Sequence, residues 1–459
     1  MNRPTKQQLE ACRAALLEAL GAGALKSDAD ALSDYGRDES DLGTTPADLV
    51  VLPGTTAEVS RVLKIAREHR VPVTPCGARS GKSGGSMPVH GGIVLSVERM
   101  NAIKEISTED LVAVVEPGVV TGDLMKAVEA KGLFYPPDPN SWGWCTLGGN
   151  IAENAGGPRA LKYGVTREYV LGMEWVMPDG EVLRVGRRTI KGVAGYDLVG
   201  LLVGSEGTLG IATEITLQLL PLPREVQTAL LVFSDVRQAA RAVSAILAAG
   251  VLPRTLELMD DLAVKAVDGK GFNFPPATGA CVLAEVDGNV PEAVFGELAR
   301  LGEIAEQHGA KETWLAQDEG QREKLWAARR TVSIALRGLA KHKLSEDLVV
   351  PRSHIPEMID RCKAIGQALG LTVATYGHAG DGNLHANILF ESVDERPKVD
   401  EALRQMALVA IELGGTITGE HKKDLLPLEQ APAVLALQRK LKQVFDPEGF
   451  LNPGKFLPD

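Results

Sequence analysis

Two glycine-rich blocks within residues 136–216 constrain this chain more than any other feature. The first reads PPDPNSWGWCTLGGNIAENAGGPRALKYGVT and the second KGVAGYDLVGLLVGSEGTLGIATEIT. Alternating apolar runs separate them. Gly148, Gly149, Gly156 and Gly157 in the first, and Gly204, Gly207 and Gly210 in the second, remove side chains where a large ligand would lie against backbone N–H and C=O groups. Asn150, Asn154, Ser205, Glu206 and Thr208 add polar groups to aim at it. A third block, PCGARSGKSGGSMP, comes earlier at residues 75–88. Three such blocks predict a cofactor as long as a dinucleotide.

The earliest block contains a false lead. CGARSGKS approaches the phosphate loop of nucleotide triphosphatases, but Cys76 stands where that loop needs its first glycine. The residues that follow, GGSMPVHGG, break the helix whose N-terminus would hold phosphate. A pyrophosphate cradled by successive N–H groups in a non-helical nest fits better. No GxGxxG follows the first strand, so a Rossmann-type site is not supported.

The rest of the chain supplies a scaffold. Residues 7–20 and 57–69 read as amphipathic helices, the second capped by Thr55 or Thr56, and residues 27–45 as a polar loop. Short strands are expected at 48–53, 71–75, 92–96 and 111–115, and a hairpin over 170–186 with Asp179 and Gly180 at its turn. QLLPLP at 218–223 marks a boundary. Beyond it, a β-α-β, β-α-β order predicts a ferredoxin-like sheet with helices on one face. With 60 acidic against 49 basic residues the net charge is −11, which excludes a broad nucleic-acid surface. The five cysteines are scattered, without the spacing of a disulfide framework, zinc site or iron–sulfur cluster. The opening residues form a charged amphipathic helix without signal-peptide character, and no run suits a membrane span. A cytoplasmic protein is expected, with peripheral contact at the inner face of the membrane left open.

A second chemical centre lies downstream. His378 and His385 bracket HAGDGNLH, a strand–turn–strand pattern that brings residues seven apart into one site. Glu420 and His421 follow in GGTITGEH. Two imidazoles and a carboxylate make a site for Zn, Mn or Fe, leaving His421 as a base. Hydrogen-bonded histidines beside a turn are the plainer reading. Arg79, Lys82, Arg329, Lys341 and Lys343 are candidates for neutralising an anionic substrate.

Taken together and in order, PPDP (136–139), TLGGNIAENAGGPRALKYGVT (146–166), GYDLVGLLVGSEGTLGI (195–211), YGHAGDGNLH (376–385) and TGEH (418–421) resemble the FAD-linked oxidases of the vanillyl-alcohol-oxidase/PCMH superfamily. The branch is that of D-lactate dehydrogenase, the FAD-linked glycolate oxidase subunit and D-2-hydroxyglutarate dehydrogenase. The resemblance implies an α+β architecture. It would comprise a PCMH-type FAD-binding domain (1–223), a ferredoxin-like antiparallel-sheet substrate domain (224–415) and a C-terminal segment (416–459) that completes the active site and packs on the FAD domain.

By matching motif, it implies that Pro75, Gly77, Arg79, Gly81, Lys82, Ser83, Gly84 and Gly85 hold the pyrophosphate. Pro137, Asp138, Thr146, Gly149, Asn150, Asn154, Gly156, Gly157, Glu206, Gly207, Thr208, Ile211 and Asn452 would hold the rest of a non-covalent FAD. His378, His385 and Glu420 would bind the divalent metal. His421 would be the base, Asn383 would face substrate or cofactor, and Arg329 would take the substrate carboxylate. The implied activity is oxidation of a D-2-hydroxy acid to the 2-oxo acid by hydride transfer to flavin N5. Electrons would pass to a separate subunit or carrier, such as an iron–sulfur protein, quinone, cytochrome or electron-transfer flavoprotein. A homodimer is left open. The alternatives are a non-redox FAD enzyme of the alkylglycerone-phosphate synthase type, or a non-catalytic FAD-binding subunit. One departure stands out: Lys422 and Lys423 follow the base where the family usually has glycine. Facing inward, they would lower its pKa or attract a second substrate anion.

Overall fold

The structure, a computed structural model, describes residues 3–40, 42–270, 273–417 and 425–457. The chain forms two compact units. The first comprises Met1–Gly156, Val165–Leu222 and Lys422–Asp459, and the second Gly157–Gly164 and Pro223–His421.

In the first unit, strands Leu49–Val51, Ile93–Ser96 and Val73–Cys76 are parallel neighbours, with Leu25–Lys26 antiparallel at the edge. Their apolar runs are buried on both faces, as parallel strands require. Helices Lys6–Leu20 and Thr56–Glu68 pack here through Cys12, Leu16, Val59, Val62, Leu63 and Ala66. Thr55 is the cap, its side chain accepting the Glu58 N–H.

A second, five-stranded sheet orders Ile103–Ser107, Val112–Val115, Ile211–Gln218, Val170–Val176 and Val182–Gly186, antiparallel throughout. The expected hairpin is its last pair, with Gly180 at φ 80° in the turn. Helix Pro432–Phe445 ends at Asp446, whose carboxylate accepts the N–H groups of Gly449, Phe450 and Leu451. That turn sends residues 450–452 alongside Val73, with Val73 N–H to Phe450 O at 2.9 Å and Asn452 N–H to Val73 O at 2.7 Å.

The second unit is built on an eight-stranded antiparallel sheet. Its order is Ala310–Leu315, Glu225–Phe233, Ala280–Gly288, Thr255–Asp260, Thr372–His378, Asn383–Phe390, His342–Val349 and Thr416–Ile417. Helices Val236–Ala248, Pro291–Gln307, Ile355–Leu369 and Arg396–Glu412 pack on one another and on one face. Helices Asp261–Val267 and Glu319–Arg337 cover the other, meeting Leu230, Val232, Met259, Cys281 and Leu283.

Two expectations change. Helices lie on both faces of this sheet, because the central strands are apolar at successive positions and need cover on each side. Residues 27–45 are not all loop: Ala29–Asp34 is a helix capped by Asp28, too short for a periodic pattern to reveal. All five cysteines are buried free thiols. Among the described residues no helix is long and apolar enough to cross a membrane.

Two glycines of the blocks serve packing instead of a ligand. A Cβ at Gly148 would press on Pro117, and one at Gly210 would collide with the Trp175 indole nitrogen. Gly210→Ala should therefore cost about 2 kcal/mol or more, the range of an overpacked core. Urea unfolding, followed by tryptophan fluorescence, measures this.

Candidate active site

The three glycine blocks converge in the first unit. Gly77 lies against Thr146 Oγ1 and the backbone of Gly149, and Gly207 against the Pro75 ring. Gly204 and Glu206 donate their N–H groups to the carbonyls of Ile151 and Ala152 at 2.8 Å. Asn452 then ties two blocks together: its amide donates to Gly85 O at 3.0 Å and to Glu206 O at 2.7 Å. Lys455 Nζ reaches Gly84 O at 2.5 Å. Lys442 Nζ donates to the carbonyls of Thr208 (2.7 Å) and Leu451 (2.9 Å) and to Asp446 (2.6 Å).

Two properties of this junction fit a large polar ligand. Five buried side-chain oxygens here have no hydrogen-bond partner: Ser83 Oγ, Ser86 Oγ, Thr146 Oγ1, Ser205 Oγ and Asn452 Oδ1. Such orphans are rare in native proteins. A ligand with phosphates, hydroxyls and ring N–H groups would satisfy them. The backbone is also bent for closeness. Of the eight non-glycine residues with left-handed φ among those described, Arg79 (62°), Asn154 (52°), Glu206 (50°) and Asn452 (44°) are candidate cofactor residues.

The remaining candidates divide by what they touch. Gly81 accepts the Glu39 N–H, Gly84 is left-handed at φ 78°, and Lys82 is exposed. Asn150 turns inward, donating to Thr121 Oγ1 at 2.7 Å, and Thr208 donates to Ser205 O. Ile211 is a core residue packed with Val176 and Phe450. Pro137 is buried and Asp138 half-buried after strand Leu133–Phe134. Gly156 ends a segment of the first unit, whereas Gly157 opens the Gly157–Gly164 excursion into the second. There Lys162 and Tyr163 bind Asp287 at 2.5 and 2.8 Å, and Leu161 packs on Gly380.

The second centre lies on the sheet of the second unit. Register places Glu257 opposite His378, His378 opposite Asn383, Tyr376 opposite His385, and His385 opposite Asp347. Opposed residues share a face, so these six side chains occupy one face of four strands in two neighbouring rows, Glu257–His378–Asn383 and Tyr376–His385–Asp347. His378 Nδ1 lies 2.7 Å from Glu257, and His385 Nδ1 hydrogen-bonds Asp347. The ring centroids are 5.2 Å apart, edge to face. A carboxylate on each Nδ1 fixes the tautomer that leaves Nε2 as a lone-pair donor, the arrangement of metal-binding histidines.

Burial opposes charge on both Glu257 and His378. For Glu257 the charges of Arg329 and His378 outweigh it and hold its pKa at about 2; for His378 the Glu257 carboxylate outweighs it and raises the pKa to about 9, so a cation taking the Nε2 lone pair would displace a proton there. Among the described residues no third His, Cys, Asp or Glu completes a metal-binding group. Glu420 and His421 lie outside the described residues.

Helix Glu319–Arg337 delivers Arg329 to the same face. It is 7% exposed, its Nη2 is 2.5 Å from Glu257, and its guanidinium carbon lies 4.8 Å from the Tyr376 ring centroid. Arg329 Nε and Asn383 Oδ1 are buried without hydrogen-bond partners. One turn along, Ser333 joins Lys343 (3.1 Å), which also reaches the buried Asn387 (2.9 Å). Glu257, Asp347, Ser333 and Asn387 were not singled out in the sequence. Asn387 was findable, since it lies two residues beyond His385 and so shares its face.

The comparisons with known proteins match both units. Residues 47–186 match an FAD binding domain and residues 222–456 the C-terminal domain of FAD linked oxidases. The chain belongs to the FAD-linked oxidase family. It is 42% identical to glycolate oxidase subunit GlcD of Bacillus subtilis, over 92% of this chain and 91% of that one. It is 34% identical to D-lactate dehydrogenase of Anaerostipes hadrus, covering 92% of each. A p-cresol methylhydroxylase structure with substrate bound superposes with TM-score 0.82 over 98% of this chain and 97% of that one, at 17% identity, a likeness of fold alone.

Two measurements probe the two sites. Arg329→Met leaves the fully buried Glu257 without its closest cation and should cost about 3 kcal/mol or more of unfolding free energy. Glu257→Gln in the same chain should return part of it, as urea denaturation of both variants would show. Glu206 has its pKa raised to about 7 by burial, against the pull of Lys455. In the unfolded chain it ionises near 4.3, so folding loses stability as pH rises from there through 7. Glu206→Gln should therefore stabilise the apo-protein at pH 8 by roughly 1 kcal/mol or more, with the gain fading towards pH 4. Paired melts at the two pH values decide this.

Proposed function

We propose that the protein oxidises a D-2-hydroxy acid of the D-lactate or glycolate type to the 2-oxo acid. The observation that carries the reading is the two carboxylate–histidine pairs, Glu257–His378 and Asp347–His385, on one sheet face beside Arg329, in a chain whose family binds FAD. The relatives named above as a D-lactate dehydrogenase and a glycolate oxidase subunit support the same substrate class.

The residues divide the work. Arg329 donates its unpaired Nε to the substrate carboxylate. His378 and His385 offer Nε2 to a divalent cation, with Glu420 as the third ligand from the TGEH motif. Glu257 and Asp347 keep both imidazoles oriented, so that neither has to reorganise during turnover. Asn383 and the Ser333–Lys343–Asn387 cluster supply further polar groups for the acid. His421 takes the hydroxyl proton. When bound, the flavin supplies the hydride acceptor and the cation supplies charge beside the hydroxyl oxygen. The electrons leave to a separate subunit or carrier, and the protein works in the cytoplasm.

The test is an anaerobic visible spectrum of the holoprotein before and after D-lactate, L-lactate, glycolate and D-2-hydroxyglutarate. One acid should bleach the flavin band. Prior treatment with a chelator should slow that bleaching at least about a hundredfold, the scale of losing a charge that stabilises the reacting oxygen, and Zn or Mn should restore it. A flavin that none of these acids reduces would count against the reading and favour non-redox use of FAD.

A further inference from the structure

The earliest glycine block, residues 75–88, carries one residue that its backbone resists. Arg79 sits at φ 62°, a left-handed bend that glycine takes freely and side-chain-bearing residues avoid. Neighbouring groups hold it there. Its guanidinium carbon lies 4.4 Å from the centroid of the Tyr35 ring, within cation–π range, and its Nη2 lies 3.1 Å from Asp34. Two residues on, Gly81 O accepts the Glu39 N–H at 3.0 Å. The segment after helix Ala29–Asp34 therefore grips the loop at two points.

Tyr35 is itself fixed. It is 5% exposed and packs in a small cluster with Ala47, Val50, Leu52 and Cys76. Its hydroxyl bonds to Glu98 and accepts from Lys26 Nζ at 3.1 Å. The Arg79 guanidinium is thus engaged by this clasp and is not held ready for a phosphate. That contrasts with the phosphate-neutralising role its position in the sequence suggests.

We infer that Tyr35 and Arg79 are positioning residues for the cofactor, which hold the glycine loop of residues 75–88 in its left-handed bend before FAD arrives. The clasp spares binding the cost of ordering the loop. The inference rests on reading that loop as the pyrophosphate cradle.

The experiment titrates FAD into the full-length apo-protein by flavin fluorescence, with thermal unfolding of each apo variant alongside. If the bend falls to one-tenth occupancy without the clasp, Kd rises about tenfold. Arg79→Ala and Tyr35→Leu should both show this. Arg79→Gly should recover most of the affinity, because glycine needs no clasp to adopt the bend. Tyr35→Phe keeps the ring and should stay within about twofold of wild type. The apo melts identify a Tyr35→Leu chain that fails to fold, in which case the alanine and glycine variants at position 79 decide.

Two results would overturn the proposal while leaving the cradle reading intact. One is wild-type affinity in Arg79→Lys with no recovery in Arg79→Gly, the pattern of direct contact between a cation and phosphate. The other is unchanged affinity in both Arg79→Ala and Tyr35→Leu. A wild-type protein that does not bind FAD would remove both proposal and reading.

Discussion

Glu257 is the residue on which the second unit's candidate site hangs. It is a carboxylate with no solvent exposure in a strand that otherwise reads as core. A charge so placed survives only if countercharges surround it closely. Arg329 supplies one from a helix and His378 another from the next strand. Each of those groups is oriented in return, so a single buried anion sets the geometry of an arginine and an imidazole. Asp347 does the same for His385 two strands away. The sheet fixes the spacing of these pairs, and the helices on both faces keep that sheet rigid.

The first unit solves a different problem. Its site is made of backbone, and backbone loops have few ways to hold their shape. The structure uses residues from elsewhere: Asn452, Lys455 and Lys442 take carbonyls of the glycine blocks, and Tyr35 and Asp34 take Arg79. The loops themselves keep the hydroxyls of Ser83, Ser86, Thr146 and Ser205 unpaired. Glycine therefore has two roles here that sequence cannot separate. Gly149 has almost open space where a side chain would go, whereas Gly148 next to it is walled by Pro117.

Much of this was legible beforehand. The hairpin at Asp179–Gly180 and the paired strands around HAGDGNLH follow from periodicity and turn chemistry. Motif order was enough to suggest the family. The carboxylates behind the histidines were not legible, because Glu257 and Asp347 lie 121 and 38 residues from their partners and only sheet register joins them. Nor was the helix Ala29–Asp34, whose six residues give no periodic signal. Arg79 looked like a ligand for phosphate because sequence shows charge but not the ring and carboxylate that occupy it.

The tie made by Asn452 also bears on how the molecule comes into being. The two carbonyls it joins lie 367 and 246 residues earlier in the chain. Contacts so distant in sequence form late, since the intervening chain must first be gathered in. During synthesis the glycine blocks emerge long before residue 452 exists, so they must wait as open loops without their fastening. The junction of the glycine blocks is thus fastened late, although its glycines are among the first parts to be made.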